Sequence, residues 1–361
     1  MYLDGTASSE PEPAHLAKEL ESKSDASTDG PSVSQQWVSL YSDPVFPESS
    51  ELENHTIMTE FILLGLSNDP RIEMYFLFLF FLLFLLTILG NTIIILVIKS
   101  ELCLQTPMFF FLSHLAFVDI CYSSVTVPKM LANFITKQKA ISWEGCIAQI
   151  AFFFQIACTE VFILSAMGYD RYVAICDPLH YSRYLTKETC NKMVVGAWLM
   201  GFFYSMVNVV PLQNLHFCGN KIIRHYTCEL PSLLALSCAN TFMNYIILLI
   251  SVLVFGVSPF LITLISYIYI ILTILKIKSV EGRKKAFSTC SSHLIVVGLF
   301  YITAFVRYMK PSSESLIELD KVISVQYRIL TPLLNPMIYS LKNKEIRSGA
   351  EKLFRKCRSI L

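Results

Sequence analysis

Seven stretches of the chain are apolar for about 20 residues or more, the length an α-helix needs to cross the core of a bilayer. They run Met74–Ile98, Met108–Leu131, Cys146–Tyr169, Met193–Leu212, Phe242–Leu275, Ala286–Met309 and Val322–Leu341. The first holds no charged residue, and the third holds one acid, Glu160. The pattern predicts an all-α membrane protein, a bundle of seven transmembrane helices over residues 73–341. A tail, 1–53, and a short segment, 54–72, precede it, and a second tail, 342–361, follows.

Composition agrees. Hydrophobic residues make up 54% of the chain and charged residues 16%, against roughly a quarter charged in soluble domains. Residues 1–53 differ, with eleven acids, two lysines and few bulky apolar side chains. Such a segment cannot bury enough surface to offset its ordering entropy, and disorder is expected there. No apolar run opens the chain, so no cleavable signal is expected, and the first membrane helix serves as its own insertion signal.

Lys and Arg set the orientation. Lys99, Arg171, Arg183, Lys187, Lys192, the Lys276–Lys285 segment and seven basic residues over 342–358 fall on one side. Fewer fall on the other, so the N-terminus is placed outside and the C-terminus in the cytoplasm. Asn54-His55-Thr56, the one N-glycosylation sequon, lies on the outer side and makes Asn54 the glycosylation candidate. Four cysteines, Cys146, Cys218, Cys228 and Cys238, also face the oxidising space, an even number that signals disulfides. Spacing alone leaves three pairings open.

Several chemistries are missing. There is no basic tract with interleaved aromatics for nucleic acid, no phosphate-cradling glycine loop, and no His-Glu-x-x-His or Ser-His-Asp set at credible spacing. An enzyme is not expected. A transporter or channel would need internal repeats or pore-lining charge, and the membrane block shows no repeat.

The third apolar run ends Met167-Gly168-Tyr169-Asp170-Arg171-Tyr172-Val173-Ala174-Ile175-Cys176-Asp177-Pro178-Leu179-His180-Tyr181. The first carries Gly90-Asn91, and the second opens Pro107-Met108-Phe109-Phe110-Phe111-Leu112-Ser113 and reaches Asp119. The fifth holds Ser266-Tyr267. The sixth opens Lys285-Ala286-Phe287-Ser288-Thr289-Cys290-Ser291-Ser292-His293-Leu294, and the seventh holds Pro332-Leu333-Leu334-Asn335-Pro336-Met337-Ile338-Tyr339-Ser340-Leu341. In this order, over about residues 54–350, the motifs resemble the olfactory receptor family of rhodopsin-like G-protein-coupled receptors. Gly168 departs from the family's usual Ala, and the aromatic cluster of the second run lacks its usual Tyr.

The resemblance implies a plasma-membrane receptor that binds small, mostly apolar odorants and activates a stimulatory, olfactory-type G protein to raise cyclic AMP. A receptor for a non-odorant metabolite is the alternative. The resemblance also implies the disulfides Cys146–Cys228 and Cys218–Cys238. Activation residues carried over from it are Asp170, Arg171, Tyr172, Tyr267, Asn335, Pro336 and Tyr339. Asp119 and Glu160 match positions that imply a sodium or proton site, since two carboxylates in low dielectric do not both stay charged without a cation; a purely structural hydrogen-bond network is the alternative. No other cofactor is expected. Lipid is an expected partner through the membrane, and three readings are open for the basic stretch Arg283-Lys284-Lys285: contact with the G protein, contact with anionic lipid, or a topology signal alone.

The family places its odorant cavity in the outer halves of the third, fifth, sixth and seventh helices. Helical spacing brings Phe153, Phe154, Ala157 and Cys158 to one face, with Ser251 and Phe255 four apart, and Tyr301, Ala304, Phe305 and Tyr308 three and four apart. Phe153 stands where amine receptors carry an Asp, which argues against a cationic amine as ligand. Arg328 stands where the family has a small polar residue, and three roles are open to it: pairing with an internal acid such as Glu160, meeting a carboxylate in the odorant cavity, or harming folding as an unfavourable variant. His293, taken alone, is expected to be a satisfied structural residue.

Overall fold

The computed structural model describes residues 60–67, 69–136, 138–219, 221–308 and 317–358. The expected tail 1–53 and the sequon at Asn54 lie outside them.

Seven long helices form the bundle: α1 Pro70–Ser100, α2 Pro107–Thr136, α3 Trp143–Cys176, α4 Lys187–Val209, α5 Phe242–Lys276, α6 Val280–Tyr308 and α7, built of Ile317–Val325, a π turn Gln326–Leu330 and Thr331–Lys342. Five of them, α1 to α5, are single runs long and apolar enough to span a membrane, and α6 qualifies as a bent pair. The helices extend past the apolar runs because polar residues cap them. Asp69 accepts from the Arg71 N–H at 2.8 Å with Pro70 at the first helical position, and Ser142 accepts from Gly145 at 3.1 Å. Thr186 accepts from Thr189 at 3.2 Å. Each satisfies a backbone donor that a helix start leaves open.

Two features go beyond the sequence expectation. A small sheet, in the order β2-β1-β3, lies at the outer end: β1 Glu60–Leu63 pairs antiparallel with β2 Ala140–Ser142 and parallel with β3 Ile222–Ile223. Strands of two to four residues carry too little alternation to show in a sequence. An eighth helix, α8 Lys344–Arg358, follows α7. Its Ile346 is buried, and Ala350 and Leu353 pack on the α1–α2 core.

The core follows α3, the most buried span. Its cytoplasmic half packs with α2 and α4 through Leu115, Leu164, Met167 and Val194, and its outer half packs under the loop before α5 through Ile150, Phe154, Leu212 and Leu233. Disulfides Cys146–Cys228 and Cys218–Cys238 tie that loop to α3 and to itself.

Candidate functional site

A cavity of about 630 Å³ opens between α3, α4, α5, α6 and α7. Phe153, Phe154, Ala157 and Cys158 line it from α3, Phe255 from α5, and Tyr301, Ala304 and Phe305 from α6. Four expected side chains meet on α3 because positions 153, 154, 157 and 158 share one face of a 3.6-residue period. Tyr308 belongs to α6, but its side chain lies outside the described residues.

Two expected residues do not line the cavity. Ser251 is buried against α4, where it exchanges hydrogen bonds with Asn208 (Nδ2 to Oγ 3.0 Å, Oγ to Oδ1 3.2 Å). The π turn Leu253–Val257 follows it in α5 and alters the helical register between Ser251 and Phe255. Arg328 is 1% exposed and sealed behind Phe153, with its guanidinium carbon 3.7 Å from that ring's centroid. Its acid is Glu229 of the loop before α5, at 3.1 Å, rather than Glu160.

The sequence reading missed Tyr204, Phe260, Thr303 and Tyr327, which complete much of the lining. Tyr204 packs edge-on against Phe154 at 5.2 Å, and Tyr327 meets Phe153 at 5.5 Å and 90°. Tyr327 adjoins Arg328, the residue that drew attention in the sequence, but its direction is set by the π turn. Among the described lining residues none carries a formal charge. Thr303 Oγ1 lies 2.6 Å from Leu299 O and 2.7 Å from Gln326 Oε1, two acceptors for its one proton, so its hydroxyl is engaged. The Tyr301 hydroxyl is buried with no partner among the described residues.

Below the cavity lies a polar core. Asn335 Nδ2 donates to both oxygens of Asp119, at 3.0 and 3.1 Å, and joins α7 to α2. Asn91 Nδ2 donates to Pro332 O at 3.0 Å and joins α1 to α7. Glu160 Oε1, Asn91 Oδ1 and Asn335 Oδ1 are buried acceptors without a donor among the described residues. Such hard oxygen acceptors suit a small cation such as sodium. Pro336 lies within α7, and Gly90 of α1 faces its ring.

At the cytoplasmic end, Arg171 donates to Asp170 Oδ2 from Nε at 2.9 Å and from Nη2 at 2.5 Å. Tyr181, in a short helical turn after α3, donates to Asp170 Oδ1 at 2.7 Å. Burial first, then the Asp170 charge, raises the Tyr181 pKa, so it stays a proton donor well beyond neutral pH. Tyr172 packs instead toward α5, against Tyr269. Tyr267 donates to His293 Nδ1 at 2.6 Å while His293 Nε2 donates to Leu164 O at 2.9 Å. The carbonyl can only accept, which fixes the neutral tautomer. Tyr267 is thus held toward α6, and the Tyr339 hydroxyl is buried without a partner among the described residues.

His225, Glu229 and Asp320 bring ligand atoms within 4.8 Å of one another. Glu229 there already accepts from Ser324 at 2.9 Å and pairs with Arg328 at 3.1 Å.

The family model described as olfactory receptor matches residues 80–356. Olfactory receptor 8S1 of Homo sapiens is 50% identical over 296 residues, covering 82% of this chain and 82% of that one. Olfactory receptor 5AR1 of Mus musculus is 44% identical over 304 residues, covering 84% of this chain and 98% of its own. Squid rhodopsin shares the fold, with a TM-score of 0.64 at 16% identity over 79% of this chain and 81% of its own. A bundle of this topology, matched along most of its length, settles the assignment: the chain belongs to the olfactory receptor family, multi-pass receptors of the plasma membrane and not enzymes.

Proposed function

We propose that the chain is an odorant receptor for neutral, mostly apolar volatile molecules, coupled through a stimulatory, olfactory-type G protein to cyclic AMP. The observation that carries this reading is the uncharged, aromatic-walled cavity, whose volume lies in the range of small-molecule sites. The Tyr301 hydroxyl, without a partner among the described residues, fits a ligand with one hydrogen-bond acceptor, such as an ester or ketone. Arg328 is already paired with Glu229 and screened by Phe153, so a carboxylate in the cavity would lose its hydration and gain no cation.

Activation is a population shift: the odorant binds the active arrangement better than the resting one. Resting contacts are the Asp170–Arg171 pair and the Tyr267–His293 bond. Outward movement of the cytoplasmic end of α6 carries His293 away from Leu164 and releases Tyr267. Tyr267 then meets Arg171 and Tyr339, and a G-protein helix enters the cleft. The contacts with Asn335 and Pro336 transmit the change through α7. Asp119 and Glu160, with the oxygens of Asn91 and Asn335, would hold a sodium ion that offsets one of their two charges and favours the resting state.

The test is cyclic AMP in cells expressing the full chain with that G protein, against carboxylic acids each paired with its neutral ester. Esters activate and acids do not on this reading. Responses to acids alone would overturn it. Tyr301→Phe lowers potency toward an active ester about tenfold, the effect of losing one hydrogen bond of about 1.4 kcal/mol.

A further inference from the structure

Three separate parts of the outer bundle converge on Arg328 of α7. Its Nη2 meets Glu229 of the loop before α5 at 3.1 Å, and its Nη1 donates to Thr126 of α2 at 3.3 Å. Its flat face lies on Phe153 of α3. Arg328 itself belongs to the π turn of α7, a local widening that turns side chains out of the regular helical register. Glu229 follows Cys228, which is bonded to Cys146 of α3 and donates its N–H to Gln149 Oε1 at 2.9 Å. The loop is therefore anchored to α3 by a disulfide and to α7 by an ion pair, with side chains 1% and 2% exposed.

The stacking extends this tie into the cavity wall. Phe153, Tyr327 and Tyr122 meet edge to face in a triangle, with centroids 5.5 to 5.6 Å apart. Phe153 and Tyr327 line the cavity, whereas Arg328 does not. The guanidinium lies on the Phe153 ring without itself lining the cavity, and the residue next to it in the chain is Tyr327. A lysine would keep the charge but lack the planar surface.

We propose that Arg328 is a positioning residue for the ligand cavity: through Glu229 it locks the loop before α5 to α7, and through Phe153 and Tyr327 it fixes the outer wall of the cavity. This rests on the cavity being the ligand site, but its test needs neither an agonist nor a G protein. Cys158 lines the same cavity and is buried, while Cys190 is buried at the far end of α4. The rate at which N-ethylmaleimide modifies each thiol, measured by peptide mass spectrometry on membranes bearing the full chain, separates local from global loosening.

Removing one partner would strand a buried charge, so the double variant Glu229→Gln with Arg328→Thr removes both. In it Cys158 is modified about tenfold faster than in the unaltered chain, as local opening becomes easier, while Cys190 is unchanged. Arg328→Lys keeps the pair, and so supplies the test if the double variant does not fold; it too speeds Cys158 alone. Equal acceleration at Cys158 and Cys190 would show a merely structural role and overturn the proposal. So would an unchanged Cys158 rate in Arg328→Lys.

Discussion

Gly168 occupies the interior of α3 without any demand for a bare backbone. A Cβ there would lie 3.5 Å from His293 Cε1 and 3.5 Å from Thr263 Cγ2, ordinary van der Waals contact. Glycine in a helix interior costs about 1 kcal/mol relative to alanine. Gly168→Ala should therefore stabilise the receptor by about that amount, read as a raised thermal midpoint of the purified protein. A lowered midpoint would mean that α3 and α6 lie closer than these distances. The sequence marks Gly168 only as a departure from its family. Its tolerance comes from His293, which is held on both ring nitrogens and so leaves a defined space. The Tyr181 hydroxyl makes a prediction for signalling. Tyr181→Phe removes a donor from Asp170 and loosens its hold on Arg171, so basal cyclic AMP should rise. Unchanged basal output at equal surface expression would remove Asp170–Tyr181 from the resting contacts.

Between elements, the opposite case is Gly201 on α4. A Cβ there would overlap the Gln155 carbonyl oxygen and the Thr159 hydroxyl of α3. Thr159 already donates to Gln155 O at 2.8 Å, so neither atom moves freely. Gly201→Ala should force α3 and α4 apart and destabilise by about 1–3 kcal/mol, the usual cost of overpacking; a thermal midpoint equal to that of the unaltered protein would contradict it. The apolar runs made the long helices legible, since twenty apolar residues admit few alternatives. They did not reveal where two helices touch, because a glycine reads alike on a lipid face and in a close crossing. Nor did they show the π turns at Leu253–Val257 and Gln326–Leu330. A π turn changes which residue faces inward without changing composition, and helical spacing put Ser251 beside Phe255 for that reason; of the roles open to Arg328, pairing with an internal acid is the one found, with Glu229 in place of Glu160. The α3 face from Phe153 to Cys158 was legible because no such turn interrupts it. Helix α8 stayed hidden because its polar residues resemble a tail until Ile346 finds the α1–α2 core.

Across the whole molecule, the Asp119–Asn335 bond is the place where the outer and cytoplasmic halves share one polar centre. Asp119 receives two hydrogen bonds, and both come from one neutral amide. Glu160 is buried nearby in α3, with one oxygen lacking any donor among the described residues. On the proposed reading a cation sits between these two acids, and the oxygens of Asn91 and Asn335, without a donor among the described residues, offer it further hard acceptors. A cation held between α1, α2, α3 and α7 stabilises whichever arrangement brings those oxygens together, by an amount that grows with its concentration. On the proposed reading that arrangement is the resting one. Sodium chloride should then raise the thermal midpoint of the unliganded receptor, whereas choline chloride at equal ionic strength should not. By linkage, sodium should also weaken agonist binding, by a factor within the roughly 5- to 150-fold range of such couplings. Asp119→Asn removes the charge but keeps the shape, so it should abolish both effects together. If sodium and choline act alike on the unaltered receptor, the two acids serve a hydrogen-bond network alone, and α2 and α7 are joined by Asn335 without an ion.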